Sequence, residues 1–389
     1  VNPPTGSTKE DDFVGRVLWA VSDSSSLPAQ RFAELDPVPP LAWLEPLSNN
    51  QFRYEDLGRF GVPPRLPKDA DLRFSLARRP APYTFAPWMT LVVSPSGGSE
   101  LDPVMFQLAR WLVRHLDDPD LVIWVAKFGG RLHHRFSWLI ARRLKELDDL
   151  EATGKSEELK RILANAPRAV PRPAMRTLWG LLLSGRAKSH SDRADLFTWL
   201  DRFKREGLTA TLKIELRELL APRVSLSEPF RWGDDSDKTG VGSRVADLVR
   251  WEIVLATKYP RSLLNHREKS ARWKAALPML LDTFATLLRD ACDLTQELGS
   301  ASSLSDHSYS HQPSISEHGQ NNDFRDWTIL IELCRDAWIA TYKKDVGQAL
   351  RVAESWWATP YPVFKRLALF AAAHRKVVQP EQSAEWLMA

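Results

Sequence analysis

The chain has 389 residues, 53 Lys and Arg against 49 Asp and Glu, and a formal net charge of +4. A hydrophobic fraction of 43% and a charged fraction of 26% match an ordinary folded protein and exclude wholesale disorder. The length exceeds what one core sustains, so two or more domains or one elongated array is expected, and the small charge surplus excludes a basic nucleic-acid-binding tail.

Two cysteines in a chain this long, Cys292 and Cys334, form no disulfide framework, and a reducing cytoplasm fits them. No apolar run approaches the ~20 residues of a membrane span. The opening VNPPTGSTKEDD lacks the basic and apolar regions of an export leader. The expectation is therefore a cytoplasmic chain with no membrane partner. Its start at Val1, without Met, and its stop at Ala389, inside a helical pattern opened by Pro380, suggest a piece of something larger.

Taken in order, residues 1–101 form a proline-rich extended or mixed segment. Runs such as PVPP, VPPRLP and RRPAPYTFAPW resist helix because proline lacks the backbone donor and restricts the residue before it. Phe52, Tyr54, Phe60, Phe74, Tyr83, Phe85 and Trp88 are too apolar for a flexible linker, which predicts a belt laid over a helical body.

Residues 102–299 read as a helical domain. Asp102-Pro103 and Asp118-Pro119 each place a capping acceptor before a proline suited to the first turn, and Gly129-Gly130 closes the second of these helices. Further helices follow over Leu132–Leu147, Glu157–Ala164, Ala174–Leu183, Arg193–Glu206, Thr209–Leu220 and Ala271–Leu298, with Pro278 marking a kink or the true start of the last. Val245–Tyr259 fits helix or strand equally. Residues 300–323, dominated by Ser, His, Asn and Gln, read as a polar loop or linker.

Residues 324–389 are the most regular part. Trp327, Ile331, Cys334, Trp338 and Tyr342 recur at helical spacing on one face, with Arg325, Glu332, Arg335 and Asp336 on the others. Val346, Ala349, Ala353 and Trp357 repeat the pattern, Pro360 and Pro362 stop it, and Phe364, Leu367, Ala368 and Ala371 line a third helix. The step from the first helix to the third is roughly the ~40-residue period of HEAT-type repeats. The expected fold class is thus mainly α: a HEAT-like solenoid or irregular helical array carrying a proline-rich extended N-terminal belt. The 16 tryptophans, many at helix-face positions, read first as packing residues.

Four stretches invite a chemical reading. Gly154-Lys155-Ser156 ends like a phosphate-binding loop, but Asp149 occupies the position of its first glycine and a charged helix precedes it, so an interhelical turn is expected. Asp235 to Gly240 begins like a calcium loop, yet Ala246 stands where the bidentate acid belongs. His307 and His311, with Glu317 and His318 nearby, have zinc-ligand spacing only if Ser- and Pro-containing sequence is helical. Arg131, His133, His134, Arg135, Arg142 and Arg143, with Lys145 and the interleaved Phe136 and Trp138, form the densest basic cluster. It either tracks a phosphate backbone or is a solvated face paired with acids such as Glu146 and Asp148. No nucleophile elbow, HExxH, CxxC pair or glycine-rich fingerprint occurs, so the motifs point to no catalytic residue and no cofactor.

The stretches RRPAPYTFAPWM, LARWLVRHLDDPDLVIWV, HGQNNDFRDWTILIELCRDAW and YPVFKRLALFAAAH resemble the helical regions of bacterial sirtuin-type anti-phage defence proteins. The resemblance implies an abortive-infection protein in which a sirtuin-type domain hydrolyses NAD while the helical region senses a phage component or assembles the complex. The family's Gly-Ala-Gly nucleotide loop and catalytic histidine motif are absent here, so no NAD-binding residue carries over, and any such activity would lie in a domain outside this chain. The leading expectation is a scaffold, sensor or regulatory segment acting by protein–protein contact through the Ser- and His-rich loop and the concave side of the stack. The alternative is a nucleic-acid-binding module using the basic helix face around 131–145.

Overall fold

The computed structural model describes residues 113, 116–127, 129, 134–165, 167–188, 196–229, 243–261, 270–321, 325–374 and 377–388. The predicted N-terminal belt, the Asp102-Pro103 helix start and the calcium-loop-like Asp235 to Gly240 lie outside them. The described residues are mainly helical, with thirteen α-helices and one two-stranded sheet. The chain divides into two compact units, Val1–Ser189 with Ser227–Arg250, and His190–Leu226 with Trp251–Ala389.

In the first unit, helix α1 (Pro119–Lys127) buries Leu121, Val122, Ile123, Val125 and Ala126, and ends at Gly129, whose φ of 71° suits a residue without a Cβ. Helix α2 (His134–Ala152) and α3 (Ser156–Asn165) are joined by the Gly154 turn, where φ is 66° and Lys155 N–H bonds back to the Leu150 carbonyl at 3.0 Å. The Gly-Lys-Ser stretch is thus a helix connection, as its charged flank predicts. A 3-10 turn (Pro167–Ala169) leads to α4 (Pro173–Leu183), and a short α7 (Val245–Leu248) completes the unit.

Asp117 and Asp118 do more than mark the start of α1. Asp118 accepts from Arg168 at 2.7 Å, and Asp117 accepts from Arg172 through both its guanidinium (2.7 Å) and its backbone N–H (2.8 Å). Bonds so distant in sequence fasten the entry of α4 to that of α1. Arg176 then ties α4 to α2 through Asp148 and Glu151, and its hydrogen bond holds the Glu151 carboxyl below the usual range. Trp179, fully buried, sends its indole N–H to the Leu116 carbonyl at 2.8 Å.

The second unit opens with α5 (Leu196–Glu206) and α6 (Ala210–Leu219), the latter capped by Thr209, which accepts from Leu212 N–H at 3.1 Å. Strand β1 (Pro222–Ser227) pairs with β2 (Arg250–Leu255). Ala256 N–H meets the Ala221 carbonyl while Thr257 N–H meets that of Leu219, so the chains run antiparallel. The stretch Val245–Tyr259 therefore resolves into a turn of helix followed by a strand, which explains why its periodicity fits both.

Helix α8 (Ala271–Glu297) starts at Ser270, whose hydroxyl accepts from Trp273 N–H, and runs through Pro278, so the proline is not its start. After the short α9 (Ser308–His311) come α10 (Ile329–Lys344), α11 (Val346–Ala358), α12 (Pro362–Ala372) and α13 (Pro380–Met388). The core lies between α8 and α10, where Leu281, Leu288, Cys292, Ile331 and Cys334 are buried, and continues on the side of α10 toward α11 and α12, where Trp338 meets Phe370. Burial pushes both free thiols well above their ordinary range. Trp338 donates to the Ala349 carbonyl (2.9 Å) and stacks on Tyr342, while Trp199 donates to that of Leu212 (2.8 Å). Like Trp179, each fills a gap with its ring and spans to the next segment with its N–H.

Three sequence expectations for these helices change. Arg335, assigned to a polar face, is only 5% exposed. Val346, assigned to the core face of α11, is 42% exposed, because Asp345 caps that helix and leaves its first residue at the surface. Trp356 rather than Trp357 faces the core, and Trp357 stacks on Trp386 at 5.1 Å, beside Lys365.

Candidate functional site

Residues 300–321 read from sequence as a polar loop or linker, and their polar residues turn out to be their means of attachment. Asp306, 3% exposed, accepts from Ser308 N–H at 2.9 Å and from Val363 N–H at 2.6 Å. Val363 lies in the first turn of α12, whose own preceding residue Tyr361 provides no side-chain cap. Asp306 therefore caps α12 from a distant point in the chain, where a carboxylate also complements the helix dipole.

One turn later Arg366 donates to the Ser308 hydroxyl (3.0 Å) and to the Gln312 carbonyl. Burial lowers the Arg366 pKa and the charge of Asp306 opposes that shift. From α10, Arg335 donates to the Ile315 carbonyl at 3.2 Å and pairs with Asp336 at 2.7 Å and, more loosely, with Glu317 at 3.8 Å. Asn321 clasps the segment internally, accepting from Ser314 N–H and donating to the carbonyls of Ser314 and Ser316. The result is an ordered surface feature on a rigid frame.

This frame holds two large apolar side chains in water: Leu304 is 90% exposed and Tyr309 57% exposed. Between 301 and 316 there is no Lys, Arg or Glu, and the single acid, Asp306, is buried, so the segment itself exposes no Lys, Arg, Asp or Glu side chain. His307, between them, has a φ of 57°, a left-handed conformation costing roughly 1–2 kcal/mol for a residue with a Cβ. It precedes α9, of which His311 is the last residue, packed edge-on to Trp327. The two imidazoles therefore do not share a helix face, and among the described residues no group of three or more metal-capable side chains converges.

A cleft of about 600 Å³ adjoins the segment, lined in part by Glu317, by Asp336, Ile339, Ala340 and Lys343 of α10, and by Lys274 and Leu277 of α8. A second, of about 540 Å³, lies where Met279 and Asp282 of α8 meet Thr341, Lys344 and Asp345.

The basic cluster is placed only in part. Arg131 and His133 lie outside the described residues, and His134 and Arg135 open α2. Exposed Arg142 pairs with Glu146 at 2.8 Å and lies over the half-exposed Trp138 ring at 5.4 Å, while Arg143 reaches the same glutamate at 3.4 Å. One acid thus draws on two of the arginines. Sequence reasoning missed Asp306, Arg335 and Arg366; the available signal for the two arginines was a cation within an otherwise apolar helical pattern, and for Asp306 its being the one acid between 301 and 316.

Among the described residues no helix is long and apolar enough to cross a membrane. Compared with known proteins, the chain matches no family model, no curated protein and no solved structure.

Proposed function

We propose that this chain is a helical scaffold or sensor segment acting through protein–protein contacts, with residues 302–311 as the contact surface. The observation that carries the reading is the exposure of Leu304 and Tyr309 on an ordered segment without exposed acids, Lys or Arg of its own, anchored by buried Asp306 and Arg335 and half-buried Arg366. Interface cores are depleted in charge and enriched in tyrosine, and a pre-ordered surface loses less entropy on binding. The succession of α10, α11 and α12 along the chain supports a HEAT-like stack as its setting.

The resemblance to sirtuin-type anti-phage proteins supplies the context: a larger cytoplasmic bacterial defence protein, whose partner is a phage component or another subunit of the complex. The test is co-elution of the full chain with phage structural and replication proteins, repeated with Leu304→Ser/Tyr309→Ser. Binding to one trigger that the double variant loses is the expected result. Retention of binding by the variant, or no binding to any phage component that triggers defence, refutes the reading.

A second reading, nucleic-acid contact, is favoured by the exposed Trp138 with Arg142 over its ring, a stacking surface beside a cation. It predicts affinity that falls steeply with salt and is lost on charge reversal at Arg142 and Arg143. Retention of binding after that reversal excludes it.

A further inference from the structure

The cleft between α8 and α10 has oppositely charged ends. Asp336 and Lys343 are two helical turns apart on α10, on one face and separated along its axis by about 10 Å. Ile339 and Ala340 fill the interval. Helix α8 runs antiparallel to α10: Met279 and Asp282 lie by Thr341, Lys344 and Asp345 at the turn into α11, whereas Asp293 and Gln296, farther along α8, meet Tyr361 just past the opposite end of α11. Lys274, earlier on α8, therefore lies toward the Lys343 end, and Glu317 joins Asp336 at the other through their shared partner Arg335.

The lysines Lys274 and Lys343 are exposed and make no ion pair among the described residues. At the acidic end Arg335 occupies one oxygen of each carboxylate, leaving further acceptor positions open. An extended peptide advances about 3.3–3.6 Å per residue, so some three residues span the distance between the charged ends. A volume of about 600 Å³ falls in the range of small-ligand pockets.

The geometry points to an unblocked oligopeptide of about three residues as the ligand of this cleft. Its ammonium group lies at Asp336 and Glu317, its carboxylate at Lys343 and Lys274, and a central apolar side chain over Ile339 and Ala340. Charge at both ends fixes the direction of the peptide, and the apolar middle selects its central residue.

The test is calorimetric titration of the full chain with alanyl-leucyl-alanine and with its N-acetylated and C-amidated forms. Saturable binding of the free peptide is expected, with each blocked form weaker by roughly fivefold, the scale of one partly exposed charge pair. Lys343→Gln should weaken the free peptide by a similar factor and leave the C-amidated form unaffected. Asp336→Asn should show the converse pattern toward the N-acetylated form. Absence of saturable heat, equal affinity of free and blocked peptides, or indifference to Lys343→Gln overturns the proposal. Because Asp336 also pairs with Arg335, the exposed Lys343 variant carries the test if Asp336→Asn loosens the fold. No partner protein is present in this titration, so its failure is distinct from failure of the contact surface at 302–311.

Discussion

Helices α8 and α10 pack through faces of buried apolar side chains, among them Leu281, Leu288, Ile331 and Cys334, while residues 300–321 are tied to α10 and α12 by the polar side chains Asp306, Arg335 and Arg366. Apolar burial is non-directional and sums over many contacts, so losing one group lowers stability in proportion to the surface and cavity involved. Polar anchors behave differently. Removing one partner leaves the other buried without a bond, and the cost falls on a single segment. A surface that must keep its shape while exposing Leu304 and Tyr309 cannot use those side chains to hold itself in place, and polar anchoring resolves that conflict.

The largest expected effect is in the apolar part. Trp338→Ala removes a buried ring and its bond to Ala349, and should destabilise the unit by about 3–5 kcal/mol in urea titration. Hydrogen exchange should rise across α10, α11 and α12 together, the helices its ring and N–H connect. Next, Asp306→Ala strips the cap from Val363 N–H and the counter-charge from Arg366, at about 2–3 kcal/mol. Its mark should be local: limited proteolysis within 300–321, with Cys292 and Cys334 still inert to a thiol reagent at pH 8 because both remain buried and protonated. Rapid labelling of both cysteines in that variant would erase the distinction between the two regions.

Tyr361, at the start of α12, sharpens the comparison at intermediate scale. Its hydroxyl bonds to Asp293 and lies 2.6 Å from Gln296 on α8; burial first, and then Asp293, raises its pKa well above 10.0. A raised folded value means that the stabilisation is complete below about pH 10, the ordinary phenol range, and is lost as pH rises through the folded value. Tyr361→Phe should cost about 1 kcal/mol at pH 8 and flatten the alkaline fall in the urea midpoint above about pH 10 relative to the parent chain. The smallest effect belongs to Leu304→Ser, at most about 0.5 kcal/mol, since the side chain is almost wholly in water. A larger loss would show that Leu304 is part of the fold and not a free contact residue.

Much of the helical order is legible in the sequence. Asp118-Pro119 opens α1, Gly129 and Gly207 follow α1 and α5, and the spacing of Ile331, Cys334 and Trp338 gives the buried face of α10. These are local signals: a capping oxygen, a missing Cβ or a 3.6-residue period acts within a few residues of itself. The candidate site was legible only as composition. The Ser- and His-rich stretch stood out, but the same residues suit a solvated linker and a fastened segment, and the difference rests on acceptors and donors supplied from elsewhere in the chain.

Arg335 shows the limit most clearly. Beside Cys334 on the helix and followed by Asp336, it reads as a surface cation, yet the Ile315 carbonyl and the Asp336 carboxylate take up its donors and permit its burial. Asp306 likewise becomes a helix cap only because Val363 arrives from 57 residues away. What the sequence by itself determined was most of the longer helices, their main faces and the ends that carry a cap or a glycine, because those depend on near neighbours. Which polar residues would be buried, which apolar residues would be left in water and where oppositely charged ends would line one cleft were decided by the tertiary structure, since hydrogen-bond partners and charge separation exist only once distant segments have met.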